Sequence, residues 1–230
     1  MAGKKVSRKK LLKEPDEFIS TTGKFIQLLG EHRRQFILAG VAALAVLAAA
    51  AGGLAYLHWQ EGKAREAQNQ ALKLYQEALS KSGDPAGEKE IFRKAQEKWR
   101  EALAVYNRGN TGLVSHLYMG HCRYALKEYD QAIEDYSQCL NGPFRPMALD
   151  GLGYCYEAKG DLVRALEYYQ KNTEENHNPF QGDGLLGMAR CYEALNQKPK
   201  ALEVYQKALA KNPESNMAQF MQRKIGELKG

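Results

Sequence analysis

The sequence predicts an all-α chain: an amino-terminal transmembrane helix followed by an α-solenoid of repeated helical hairpins with a capping helix. Three observations carry that reading. Residues 36–57 read FILAGVAALAVLAAAAGGLAYL, without one charge. Beyond them, apolar residues recur at spacings of three and four, the period of one helix face. The stretch from Met119 to Tyr205 also repeats itself at a nearly fixed interval, the mark of stacked supersecondary units.

Length and charge bound the function classes. A chain of 230 residues holds one ordinary domain plus an anchor or extension. Of the net charge of +6, residues 1–35 contribute +5, with Lys4, Lys5, Arg8, Lys9, Lys10, Lys13, Lys24, Arg33 and Arg34 set against Glu14, Asp16, Glu17 and Glu31. The remainder carries 24 basic and 23 acidic residues and no basic stripe, which argues against nucleic acid as a partner.

As a helix, the uncharged stretch spans roughly 33 Å against a hydrocarbon core of about 30 Å. A core helix of a soluble domain rarely lacks polar residues on every side. A cleaved signal peptide is the sharper rival, and the small residues near Ala51 would suit a peptidase. Its apolar core is usually shorter, however, about 7–15 residues, so a retained anchor is the expectation. Arg33 and Arg34 abut the span, while Tyr56 and Trp59 sit where an aromatic belt lies. That asymmetry places residues 1–35 in the cytoplasm and the bulk outside it, which in a bacterium means the inner membrane and periplasm. Within the leader, Pro15 and Asp16 can start a helix whose Phe18, Phe25, Ile26 and Leu29 share a face. Such a helix suits the headgroup region; a solvated basic leader that only sets topology is the alternative.

Residues 58–108 read as an outward continuation of the anchor and a second helix. Ala64, Ala67, Ala71, Tyr75, Ala78 and Leu79 share one face, Ser82 to Pro85 breaks the helix, and Ile91, Ala95, Trp99, Ala102, Leu103 and Tyr106 mark the next, ending near Asn107. Residues 109–213 hold three repeats. Shifts of 33 and then 36 residues superpose Gly120 on Gly153 and Ala189, Ala132 on Ala165 and Ala201, and Tyr136 on Tyr169 and Tyr205. The three extra residues fall in the loop from Glu174 to Asp183. Residues 214–230 supply the capping helix, from Ser215 to Leu228.

On these residues the chain resembles the tetratricopeptide repeat. Leu152, Gly153, Tyr156, Gly160, Ala165 and Tyr169 carry the pattern in one unit, and Met188, Ala189, Tyr192, Ala201, Tyr205, Ala208 and Pro213 in the next. The first unit departs at Arg123, where an aromatic is expected, and the hairpin at 64–106 keeps only Ala95, Trp99 and Ala102 of it.

Cys122, Cys155 and Cys191 superpose under the same shifts at a small-residue site, and Cys139 aligns with Ala208. All four read as packing residues, with a Cys139–Cys155 disulfide as the alternative. No CxxC motif suggests zinc. His116 and His121 lie about 140° apart on a helix, so they do not form a two-histidine metal site. Neither a Gly-rich phosphate loop nor a nucleophile elbow is present, so no catalytic, cofactor or metal residue is assigned.

In layout the chain resembles the ancillary SecYEG translocon subunit family of bacterial inner membranes. The likeness rests on a cytoplasmic leader, one span with an aromatic exit, an Ala-rich outward helix, divergent repeats and a terminal segment from Met221 to Leu228. It implies association with the secretion channel and with periplasmic chaperones in handling exported proteins. A structural adaptor for a pilus, division or outer-membrane assembly is the alternative. Tetratricopeptide repeats usually bind their partners along the first helices of the pairs. One such face here comprises Leu117, His121 and Tyr124, then Asp150, Tyr154 and Glu157, then Leu186, Arg190 and Glu193, extended by Phe220 and Lys224. Its aromatics and carboxylates suit an extended peptide with apolar and basic groups. Replacing Tyr154 or Arg190 by Ala should on this view weaken binding by about 1–2 kcal/mol and leave folding intact.

Overall fold

A computed structural model describes residues 28–81, 84–175, 178–211 and 217–230, with single positions 23, 26 and 213. The expected leader helix start at Pro15 and Asp16, together with Phe18, Phe25 and most of the basic leader, lies outside the described residues, as does Ser215. Among the described residues there are nine long helices and no strand: α1 (Arg33–Ser80), α2 (Pro85–Val105), α3 (Gly109–Ala125), α4 (Tyr129–Gln138), α5 (Arg145–Ala158), α6 (Leu162–Glu174), α7 (Gln181–Ala194), α8 (Lys198–Lys211) and α9 (Ala218–Lys229).

The chain divides into two units, Met1–Leu57 and His58–Gly230. In the first, α1 contains a window of mean hydropathy 2.3, none of it buried by protein, and is long and apolar enough to cross a membrane. Leu38, Val46 and Leu54 are each 68% exposed, a state that water disfavours and lipid accepts.

The second unit begins on the far end of α1, which buries a ridge of alanines. Ala71 and Ala78 pack with Phe92, Ala95 and Trp99 of α2 and with Met119 and Cys122 of α3, while Ala64 and Ala67 meet Ala102. Small side chains at these points let the helix backbones approach closely. Gln68 Nε2 ties this segment to α3, donating to the Thr111 carbonyl at 2.7 Å and to Ser115 Oγ at 2.8 Å. The start of α2 has clear local causes. Asp84 accepts from the Gly87 N–H at 3.0 Å, Pro85 loses no hydrogen bond in the first turn, and Glu88 faces the positive helix end. The helix ends at Val105, slightly before the expected Asn107.

Pairs α3/α4, α5/α6 and α7/α8 then repeat one hairpin. Each turn places a residue at positive φ: Lys127 at 65°, Gly160 at 79° and Asn196 at 56°, positions equivalent under the repeat shifts. The following N–H closes the helix end by reaching back five residues, from Glu128 to the Arg123 carbonyl, Asp161 to Tyr156 and Gln197 to Tyr192, at 2.8 to 2.9 Å. Lysine is the strained member of this set, because its Cβ crowds the backbone in the left-handed region. Lys127→Gly should therefore raise the unfolding midpoint in urea, by about 0.5–1 kcal/mol once the greater freedom of an unfolded glycine is offset.

Within the stack, Tyr136 of α4 and Tyr169 of α6 are each a wedge between two first helices. A Cβ on Gly120 or Gly151 would lie 2.7 or 2.5 Å from the Tyr136 ring, and one on Gly153 or Gly187 would lie 2.4 or 2.5 Å from Tyr169. Glycine is required by that approach, since ordinary carbon contacts are about 3.5–4.0 Å. Each helix from α2 onward packs on the next, and α3 meets α5 as α5 meets α7, so the first helices form a continuous layer.

All four cysteines are free and buried, so the alternative Cys139–Cys155 disulfide is not formed; the Cys139 thiol instead donates to the Leu113 carbonyl at 3.3 Å. Burial pushes each of the four thiols up to about 12. Arg123, the departure from the repeat pattern, reaches across its hairpin to Asp135 at 2.7 Å and to the Gln131 carbonyl at 3.1 Å. It binds α3 to α4 by charge where an aromatic would do so by packing.

Candidate functional site

The face selected from the sequence divides by position. Leu117 and Leu186, only 2% and 7% exposed, belong to the core and not to a ligand-facing surface. Leu117 packs against Ala148 and Leu152 of the next first helix, and Leu186 packs with Ala201 and Tyr205. The reason is geometric: the stripe i, i+4, i+7 runs obliquely across a helix, and its first member turns inward in these two units, Leu117 toward the next hairpin and Leu186 toward the second helix of its own. The other nine residues lie on α3, α5, α7 and α9, and their contacts follow the repeat.

The third positions are Tyr124, Glu157 and Glu193, and the second positions of the following unit are Tyr154, Arg190 and, on the cap, Lys224. In two of these steps the pair is ionic. Arg190 holds Glu157 with two hydrogen bonds, at 2.8 and 2.7 Å, and Lys224 holds Glu193 at 2.7 Å. A second-helix tyrosine joins each pair, Tyr169 donating to Glu157 at 2.6 Å and Tyr205 to Glu193 at 3.1 Å. Partner contacts with Lys224 and Tyr205 hold the Glu193 carboxyl below its usual range, while burial and Glu157 push the Tyr169 hydroxyl upward. In the first step the pair is aromatic: Tyr124 and Tyr154 lie 6.1 Å apart by ring centroids, and the wedge Tyr136 meets His121 Nδ1 at 2.8 Å. Burial pulls the His121 imidazole down to about 4, so it is neutral at physiological pH.

Arg190 is therefore committed within the fold, and the expectation that its truncation leaves folding intact is revised. It also lies over the Tyr154 ring, 5.2 Å from the centroid. Arg190→Ala would leave the Glu157 carboxylate and the Tyr169 hydroxyl without their cation, at a cost of about 2 kcal/mol in urea unfolding. Tyr154 is half-buried at the aromatic step.

Cavities open on this face. One of about 260 Å³ lies where α3, α4 and α5 meet, and His121, Tyr124, Asp150 and Tyr154 line it together with Tyr136, Met147, Gly151 and Phe180. The second, about 330 Å³, is bounded by Arg190, Glu193, Ala194, Tyr205, Phe220 and Lys224. A larger depression of about 460 Å³ opens elsewhere, with Tyr192, Lys200, Glu203 and Lys207 on its wall. Its lysines and glutamates are of mixed sign, and it lies outside the selected face.

Sequence reasoning missed Tyr136, Met147 and Phe180 as lining residues. A signal existed for Phe180, because Phe144 precedes α5 at the same shift of 36 residues. Its placement comes from the inserted loop: buried Asn178 donates to the Asn172 carbonyl at 2.8 Å and accepts from the Phe180 N–H at 2.8 Å. Among the described residues no group of three or more His, Cys, Asp or Glu could hold a metal ion.

Comparison with known proteins agrees with this repeat geometry. Tetratricopeptide-repeat family profiles match residues 114–177 and residues 151–224. No curated protein matches the chain. Among solved structures, one described as nearly identical TPR-like repeats attributed to a kinesin light chain of Podosopora anserina is similar over 73% of this chain and 86% of its own, with 16% identity and a TM-score of 0.55. A single-substitution variant of it aligns over 73% of this chain and 85% of its own, at 16% identity and a TM-score of 0.56. At that identity the likeness is one of fold. With helix pairs that stack on wedge tyrosines and two overlapping profile matches, residues 114–224 resemble tetratricopeptide repeats both in sequence and in geometry.

Proposed function

We propose that this protein is a membrane-anchored adaptor that binds an extended segment of another protein along α3, α5 and α7. Tetratricopeptide repeats mediate protein–protein interaction, and the observation that supports this face is its aromatic step. There Tyr124 and Tyr154 stand where the later units place a closed ion pair, and a cavity opens beside them. Half-buried aromatics beside a pocket are the groups that dominate protein interfaces. No catalytic step is assigned to the chain.

In this reading residues 36–57 cross the bacterial inner membrane once, residues 1–35 are cytoplasmic and the repeats lie in the periplasm. The support is the Lys/Arg asymmetry about the span. The layout likeness makes the SecYEG channel and periplasmic chaperones the partners to test first. Protease added to spheroplasts should digest residues beyond Trp59 and spare the leader; the opposite pattern would reverse the topology. Crosslinking in membranes followed by identification of the adducts tests the partner. Channel subunits would support the secretion reading, and pilus, division or outer-membrane proteins would favour the structural adaptor.

A further inference from the structure

We propose that the cavity between α3 and α5 receives a lysine side chain from the bound segment, with the Asp150 carboxylate as its counter-ion. The proposal rests on the groove reading above and names the chemistry that one part of the groove selects.

The repeat supplies the first argument. Leu117, Asp150 and Leu186 are equivalent under shifts of 33 and 36 residues, so a carboxylate stands where two other units place a core leucine. Asp150 is 9% exposed, and its Oδ1 meets no hydrogen-bond partner among the described residues. Burying an ionised carboxylate without a partner is costly, and native folds ordinarily provide one. This fold does so elsewhere: Asp135, 6% exposed, is met by His116 Nδ1 at 2.9 Å and by Arg123 at 2.7 Å.

The second argument is what remains uncommitted on the face. Glu157 is neutralised by Arg190 and Glu193 by Lys224, which leaves Asp150 as the carboxylate there without a cation of its own. Around it are the rings of Tyr124, Tyr136, Tyr154 and Phe180 and the thioether chain of Met147. Aromatic faces attract a cation and aliphatic walls accept methylenes, which together describe a lysine lying along the cavity with its ammonium at the carboxylate. The volume of about 260 Å³ suits one long side chain. Arginine fits less well, because its planar fork calls for both carboxylate oxygens at once, whereas the compact ammonium of lysine on its flexible stem needs one.

Charge around the site is consistent with this. Asp183 of α7 adds negative potential and Arg190 opposes it, Glu157 and Tyr154 face it from α5, His121 and Tyr124 from α3, and Tyr136 from α4. Burial, followed by the field of Asp183, pushes the Asp150 carboxyl up to about 7. His121 is already neutral there, and the tyrosine hydroxyls are pushed up by burial. A bound ammonium should thus compete with the proton on Asp150, and lysine preference should grow as pH rises from 6 to 8.

The test uses the full chain in lipid nanodiscs and four peptides, acetyl-Leu-Ala-Lys-Ala-Leu-amide and its counterparts with norleucine, arginine or glutamate at the centre. Binding is followed by calorimetry at pH 6 and pH 8. The lysine peptide should bind at least fivefold tighter than the norleucine peptide at pH 8, and that ratio should fall at least threefold at pH 6. In Asp150→Asn the lysine peptide should lose its preference over the norleucine peptide, with thermal unfolding confirming the fold. Equal binding of lysine and norleucine, tighter binding of arginine, or a preference that survives Asp150→Asn would overturn this assignment alone. Absence of binding by all four would overturn the groove reading and this proposal with it.

Discussion

Gly153→Ala is expected to cost about 2–4 kcal/mol, and Gly153→Leu to abolish folding of the repeat stack, because overpacking is paid in full where neither side can move. The added Cβ would lie 2.4 Å from the Tyr169 ring. That ring cannot retreat: on its other face a Cβ at Gly187 would come within 2.5 Å, and its hydroxyl is held by Glu157 at 2.6 Å. An alanine gains about 1 kcal/mol of helix propensity over glycine, which makes the sign of the result informative. Gly226→Ala on α9 is the control, since its Cβ would meet nothing within 4 Å, and it should stabilise by up to about 1 kcal/mol. Urea unfolding of both variants checks the pair; equal behaviour would mean that the wedge packing is not tight.

Asp150→Leu should stabilise the protein at pH 8, the reverse of the usual effect of a buried substitution. It restores the leucine that Leu117 and Leu186 provide in the neighbouring units, and the adjoining cavity leaves room for it. The pH dependence follows from proton binding. The Asp150 carboxyl is raised from 3.8 to about 7, so between those values the folded state binds more protons than the unfolded state. Stability falls as pH climbs through that window and stays low above it, by about 2–4 kcal/mol for a shift of this size. Asp183 is raised too and contributes in the same direction, so the comparison with Asp150→Leu isolates the buried group. The variant should match the wild type near pH 4 and exceed it at pH 8. A wild type as stable as the variant at pH 8 would show that Asp150 ionises without cost.

The repeat register was legible because it depends on side chains that cannot be exchanged freely. Gly120 and Gly153 must admit Tyr136 and Tyr169, and a two-shift alignment of small and aromatic residues exposes that need. The second wall of each wedge was not legible. Gly151 and Gly187 align with each other, but the first unit has Tyr118 at that place, stacked on Trp99 at 5.1 Å instead of admitting a ring edge. Helical periodicity gives the stripe on α3, α5 and α7 but not its depth, which is why it groups the core residues Leu117 and Leu186 with half-buried positions such as Tyr154. It also gave no sign that Glu157 would meet Arg190, or Glu193 meet Lys224. Such pairs join successive units and depend on how hairpins stack, information absent from the spacing within one helix. The departure at Arg123 likewise made sense only once Asp135 was seen across the hairpin.

The claim that this face binds another protein is tested most directly by site-specific photo-crosslinking of the full chain in membranes of the cells that make it. A benzoylphenylalanine in place of Tyr154 reports on the aromatic step, and one in place of Val163, which is 73% exposed on α6, reports on a surface away from it. A discrete protein adduct should form from position 154 and not from position 163. Adducts from position 163 with none from position 154 would contradict the account.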